Sequence, residues 1–280
     1  MTSPFTAACV QNCADTDVRV NIEEASHWVE QASGQGADLI ALPEYFSFIA
    51  PDDATLLANA YSESDHPALS HFMRLAKSLG AWVLLGSLAI KVSETKVNNR
   101  SYLLDAKGQI VARYNKIHLF DVSLRSGETY RESNTVVPGD TAVLARTPWG
   151  MLGMSVCYDL RFAYLYRRLA QAGASFLAIP AAFTKTTGEA HWHVLQRARA
   201  IETGCYVFAP GQHGVRKSGR ATYGHSLIID PWGEVLASGG EQAGYILAEI
   251  DPAKVIEARR MIPALEHDRV VSGPGGPESL

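Results

Sequence analysis

Two stretches of this chain occur twice. GADLIALPE at residues 36–44 returns as GASFLAIPA at 173–181, and SYLLDAKGQIVA at 101–112 returns as SLIIDPWGEVLA at 226–237. Each member of the first pair reads as an apolar strand that follows a helix and closes on proline. Each member of the second reads as strand, tight turn with glycine at a fixed place, strand. The order is the same in both copies, so the repeat predicts two similar halves facing each other. Strands this apolar need cover on both faces, which points to a layered α/β sandwich with two sheets inside and helices outside.

The rest of the pattern agrees. Strands are predicted at 5–10, 39–42, 82–87, 102–105, 111–114, 152–157, 176–179, 206–209, 227–230 and 244–249. Amphipathic helices are predicted at 22–32, 68–79, 161–172, 190–203 and 252–261, four of them closing at or near Gly34, Gly80, Gly173 and Gly204. One domain over 1–270 and a mobile tail over 271–280 are expected, the tail being rich in glycine and proline.

Composition excludes several classes. A net charge of −4 offers no basic stripe to a nucleic acid. No apolar run is long enough for a transmembrane helix, and the N-terminus lacks the pattern of a signal peptide. The cysteines, Cys9, Cys13, Cys157 and Cys205, form no CxxC pair and no zinc spacing; free thiols and a cytoplasmic location are expected. His191 and His193 are two apart, which on a helix points them to different sides, so no metal is expected.

Four residues carry the candidate chemistry. Cys157 ends an apolar strand and precedes a predicted helix, an elbow that exposes a nucleophile and aims the N–H of Tyr158 at a developing oxyanion. Taken alone it fits a buried strand cysteine better. Glu44 stands directly after a buried strand, where burial raises a carboxyl toward a useful general-base pKa; the alternative is an exposed loop carboxylate. Lys116 is flanked by Ile117, Leu119 and Phe120, so it is either a surface lysine or a buried ammonium that needs Glu44 and Glu132 as partners. Glu132 by itself reads as a solvated loop residue.

Set side by side, ALPEYF with Glu44, RYNKIHLFD with Lys116, RESNTVVPGD with Glu132 and GMSVCYDLRF with Cys157 resemble the nitrilase superfamily of carbon–nitrogen hydrolases, in order and over nearly the whole chain. The resemblance implies a four-layer αββα sandwich with internal pseudo-duplication, a Glu–Lys–Cys triad of Glu44, Lys116 and Cys157 with Glu132 in support, no cofactor, and a homodimer. HWHVLQRARAIETGCYVFAPGQHG and ATYGHSLIIDPWGEVLASG resemble the Nit branch, foremost its deaminated-glutathione amidases and next its ω-amidases; the end of the chain after Asp268 departs from that branch. The implied reaction is hydrolysis of a primary amide of a small carboxylate-bearing molecule to acid and ammonia through a cysteine thioester, with α-ketoglutaramate-type or N-carbamoyl substrates as alternatives.

Substrate-contact candidates are Tyr158 next to Cys157, Phe183 and Thr184 at the end of the duplicated strand with Tyr45 packed beside them, and Arg161 as a carboxylate partner, or else as a helix cap or the partner of Asp159. Three rival readings stay open. Glu44 and Glu132 could be a glycosidase pair. Cys157 could work with His118, His191 or His225 as in papain. The chain could also bind a partner without turnover.

Overall fold

A computed structural model describes residues 3–124 and 127–270; the expected tail at 271–280 lies outside them. The first half runs β1 (Phe5–Gln11), α1 (Val18–Gly34), β2 (Leu39–Ala41), α2 (Asp53–Ala58), α3 (Pro67–Leu79), β3 (Trp82–Lys91), β4 (Val97–Leu104) and β5 (Ile110–Asn115). A hairpin of β6 (Asp121–Ser123) and β7 (Thr129–Arg131) leads to β8 (Val143–Thr147), β9 (Gly150–Met154), α4 (Ala163–Gln171), β10 (Ala174–Ala178), α5 (Lys185–Thr203) and β11 (Tyr206–Ala209). Then come β12 (His213–Val215), β13 (Ala221–Tyr223), β14 (Leu227–Ile229), β15 (Val235–Ser238), β16 (Gly244–Ile250) and α6 (Ala253–Met261).

The duplication is visible in strand order. One sheet runs β16-β1-β2-β3-β4-β5 and the other β15-β14-β11-β10-β9-β8. Each holds a parallel trio, β1-β2-β3 or β9-β10-β11, extended by an antiparallel hairpin, β4–β5 or β14–β15. The repeated sequences occupy equivalent places: β2 matches β10, and the two hairpins match each other.

Period-two burial builds the layers. In β1, Phe5, Ala7 and Cys9 join a core shared with Leu152, Met154, Phe176 and Phe208 of the other sheet. Ala8 and Val10 face the opposite way, onto Ala25 and Val29 of α1 and Phe72 of α3. Helices α4 and α5 cover the outside of the second sheet, giving the order helix, sheet, sheet, helix.

Local signals explain the helix ends. Asp17 accepts from the Arg19 and Val20 amides at the start of α1, and Gly80 and Gly204 close α3 and α5 in the left-handed conformation. α4, predicted over 161–172, starts within two residues of that bound. Residues Cys157–Arg161 form a 3₁₀ turn, and the α-helix begins at Ala163. The main macrodipole therefore starts six residues beyond the sulfur, so it contributes little there.

Candidate active site

The C-terminal ends of β2 and β9 open into one cavity of about 760 Å³, lined among others by Glu44, Tyr45, Lys116, Glu132, Cys157, Tyr158, Phe183 and Thr184. Eight of the nine site residues expected from sequence thus meet there. Arg161 is the correction. It is absent from the lining; its guanidinium lies over the Tyr158 and Phe183 rings at 5.8 and 5.4 Å and reaches His191 Nδ1 at 3.3 Å. It stands behind the aromatic wall because the 3₁₀ turn carries its side chain toward α5.

Lys116 is the centre of the polar floor. Its Nζ donates to Glu44 Oε1 at 2.9 Å and to Glu132 Oε2 at 2.9 Å, and it is 2% exposed. Burial pulls this ammonium down, but Glu132 and Glu44 together hold it well above the ordinary lysine value. Asn99 of β4 donates through Nδ2 to Glu44 Oε1 at 2.9 Å and Glu132 Oε1 at 3.1 Å. Asn99 has no signature in the sequence, since an inward-facing strand amide has no motif of its own.

Glu44 Oε2 accepts the backbone N–H of Ala182 at 2.8 Å. Ala182 follows β10, the duplicate of β2, so the two copies of the repeated strand end on each other. Burial alone would lift the Glu44 carboxyl. The Lys116 charge and hydrogen bonds from Lys116, Cys157 and Ala182 outweigh it and keep the group below its usual range. The Cys157 thiol hydrogen-bonds this carboxylate, and burial followed by the Glu44 charge pushes the thiol well up, with Lys116 opposing. The resting pair is therefore carboxylate beside thiol.

The backbone around these groups is held under strain. Cys157 and Tyr45 both have left-handed φ, +50° and +52°. Tyr45 is fixed by its N–H to Ser87 Oγ and by Gln212 Nε2, which donates to the carbonyls of Glu44 and Tyr45 at 3.1 Å. Gly86 of β3 is required by close approach: a Cβ there would stand 2.1 Å from the Leu42 carbonyl oxygen, just ahead of Glu44.

The cysteine turn is fixed by Asp159, which is fully buried. Its Oδ2 accepts from Val156 N and Tyr114 Oη at 2.8 and 2.7 Å. Its Oδ1 accepts from His118 N at 2.9 Å and pairs with His118 Nδ1 at 2.7 Å. One carboxylate thus ties the turn of Cys157 to the strand end on either side of Lys116. CYD in the sequence could have signalled it, had its partners been known.

The rival arrangements lack their geometry. Glu44 and Glu132 share one ammonium instead of flanking a substrate. His118, His191 and His225 are all absent from the cavity lining. Among the described residues no group of three His, Cys, Asp or Glu side chains is placed to hold a metal, and no helix is long and apolar enough to cross a membrane.

Comparison with known families decides the class, because the carbon–nitrogen hydrolase model matches residues 6–260. The chain belongs to the carbon–nitrogen hydrolase family. It is a hydrolase of carbon–nitrogen bonds other than peptide bonds. A deaminated glutathione amidase from Synechocystis sp. strain PCC 6803 is 40% identical over 273 residues, covering 94% of this chain and 98% of that one. The C. elegans NitFhit crystal structure is 36% identical with a TM-score of 0.90; the match covers 96% of this chain and only 66% of that longer one. A Glu-to-Leu variant of the Nesterenkonia sp. AN1 amidase, 25% identical with a TM-score of 0.78 over 92% of this chain and 94% of that one, carries the acetamide moiety of fluoroacetamide on its active-site cysteine.

Proposed function

We propose that this chain is an amidase in which Cys157 is the nucleophile, Glu44 the general base and acid, Lys116 the oxyanion partner and Glu132 the support of Lys116. The observation that carries it is that Cys157 lines one cavity with the Glu44 carboxylate, which rests on the buried Lys116 ammonium at 2.9 Å. Glu44 takes the thiol proton as sulfur attacks the amide carbon. The negative charge passes to the carbonyl oxygen, where the Lys116 ammonium and the Tyr158 N–H receive it, each such donor contributing about 3 kcal/mol. Protonated Glu44 gives its proton to the leaving nitrogen, the C–N bond breaks and a thioester remains. Glu44 then takes a proton from water, the hydroxide adds to the thioester, and the acid leaves as the thiol is restored.

Burial raises the Glu44 carboxyl, and the Lys116 charge with the hydrogen bonds to the carboxylate outweighs burial and favours the ionised base. Because the proton must move from a raised thiol to a lowered carboxylate, transfer is concerted with attack.

The substrate is an amide whose acyl half carries a carboxylate, deaminated glutathione being the favoured case because the Synechocystis relative bears that name. An α-ketoglutaramate-type ω-amide or an N-carbamoyl compound is the second reading. Tyr45, Phe183 and Thr184 form its walls. We place the enzyme in the cytoplasm as a homodimer, on four free cysteines and on exposed Ile201, Trp232, Met261 and Ile262.

Release of ammonia or amine from a panel of linear amides, with wild type, Cys157→Ala and Glu44→Gln side by side, tests the reading. Turnover by the wild type and loss of at least about 10³-fold in both variants is expected. Full activity of Cys157→Ala, or no hydrolysis of any amide by the wild type, would overturn it and leave a binding protein.

A further inference from the structure

We infer that Arg220 and Tyr45, two cavity-lining residues with polar atoms that lack partners among the described residues, form the anchor for the substrate's carboxylate. This rests on the amidase reading above and names what that site selects.

The charges in the cavity leave one place for an anion. Lys116 is neutralised by Glu44 and Glu132, so the floor carries two carboxylates against one ammonium and repels a second anion. Arg131 also lines the cavity, but its guanidinium donates to the carbonyls of Val122 and Tyr130 and to Ser123 Oγ within its own hairpin. Arg220 is different. It lines the cavity, its Nε is buried, and that atom finds no hydrogen-bond partner among the described residues. Its guanidinium lies over the Tyr130 ring at 5.7 Å and pairs with no carboxylate among the described residues.

A second orphan faces the same space. The Tyr45 hydroxyl is buried and without a partner among the described residues, and Tyr45 lines the same cavity. Burial, followed by the Glu132 and Glu44 charges, pushes the Tyr45 phenol well above its ordinary value, so it stays a neutral O–H donor. A phenol and a guanidinium Nε, both buried and unpartnered on residues that line one cavity, are costly unless a ligand satisfies them. A carboxylate does so: guanidinium offers it a fork of two N–H groups, and the phenol adds an O–H.

The wall between anchor and nucleophile sets a length. Tyr130 packs on Phe120 at 5.0 Å, Phe120 on Tyr158 at 5.2 Å, and Tyr158 adjoins Cys157. This aromatic run suits the methylene or keto chain of a dicarboxylic half-amide lying extended along it.

Two substrates of equal length separate the anchor from the reaction: glutaramate, which carries the carboxylate, and pentanamide, which lacks it. The readout is the ratio of their kcat/KM values. The wild type is expected to favour glutaramate, and Arg220→Met and Tyr45→Phe to lower that ratio by about 10- to 100-fold, mainly through KM, with Arg220→Lys recovering part of it. An unchanged ratio in Arg220→Met, or a wild type with no preference, overturns the anchor while leaving the amidase reading intact. Calorimetric titration with glutarate reads the anchor without turnover. Binding by the wild type that weakens by a similar factor in Arg220→Met supports it even if no amide is hydrolysed, and equal or absent binding in both refutes it.

Discussion

Replacing Asp159 by asparagine would test whether the cysteine turn is positioned from beneath. Each carboxylate oxygen accepts one backbone N–H, Val156 on Oδ2 and His118 on Oδ1, and each has a second donor, Tyr114 Oη or His118 Nδ1. The phenol can rotate and the imidazole can change tautomer, but a backbone N–H can do neither. Whichever way the asparagine amide turns, its NH₂ faces one of the two backbone donors. That loses a hydrogen bond to a charged acceptor, about 1.5–3 kcal/mol, and leaves a buried donor unpaired at about 1–3 kcal/mol. A total of about 2.5–6 kcal/mol follows, a fall in Tm of roughly 5–24 °C. Since the same carboxylate bridges the Cys157 turn and the Lys116 strand end, kcat should fall by about 10²-fold at 25 °C, where the variant is still folded. Scanning calorimetry and single-turnover acylation measure the two effects separately. A lower Tm with wild-type acylation would show Asp159 to be only structural, and an unchanged Tm would refute the hydrogen-bond reasoning itself.

Two further perturbations have pH signatures. In the wild type Glu44 has a depressed pKa, so its contribution is present above about pH 4.3 and is lost as pH falls through the folded value; Lys116 has a raised pKa, so its contribution is present below about pH 10.4 and is lost above it. Lys116→Met leaves the buried Glu44 carboxylate facing the partly buried Glu132, which should cost about 3–5 kcal/mol at pH 8 and reverse the slope. Its urea midpoint should rise as pH falls from 8 to 5, and a flat profile would refute the ion cluster. His66, buried at the start of α3 with no side-chain cap bond, is pushed down to about 4 by desolvation. The unfolded chain therefore binds its proton more readily between about pH 6.5 and 4, and the wild type should lose roughly 3 kcal/mol across that window. His66→Asn, a better N-cap, should flatten this part of the urea-midpoint profile; an unchanged slope would assign the acid sensitivity elsewhere.

Much of the fold could be read directly from residue order. The repeated strings marked β2 with β10 and hairpin β4–β5 with β14–β15, because apolar runs and turn glycines are local signals that recur wherever the same unit recurs. Short edge pairs such as β6–β7 and β12–β13 escaped notice, being three residues each with little apolar patterning. The start of α5 was placed five residues late, since its first turn, Lys185–Gly188, reads as loop.

At the site, sequence supplied the reacting residue types and their order. It could not supply what three distant segments do to one another on meeting. The sign of the Glu44 shift is such a case: burial and Lys116 pull in opposite directions, and only the 2.9 Å contact shows that the ammonium wins. Arg161 and Arg220 are another, equal as arginines in the sequence, yet one packs behind the aromatic wall while the other opens into the cavity. Strand and turn identity is a property of neighbours along the chain and is written there. Charge balance and hydrogen-bond satisfaction depend on distances through space, and only the folded sandwich fixes those.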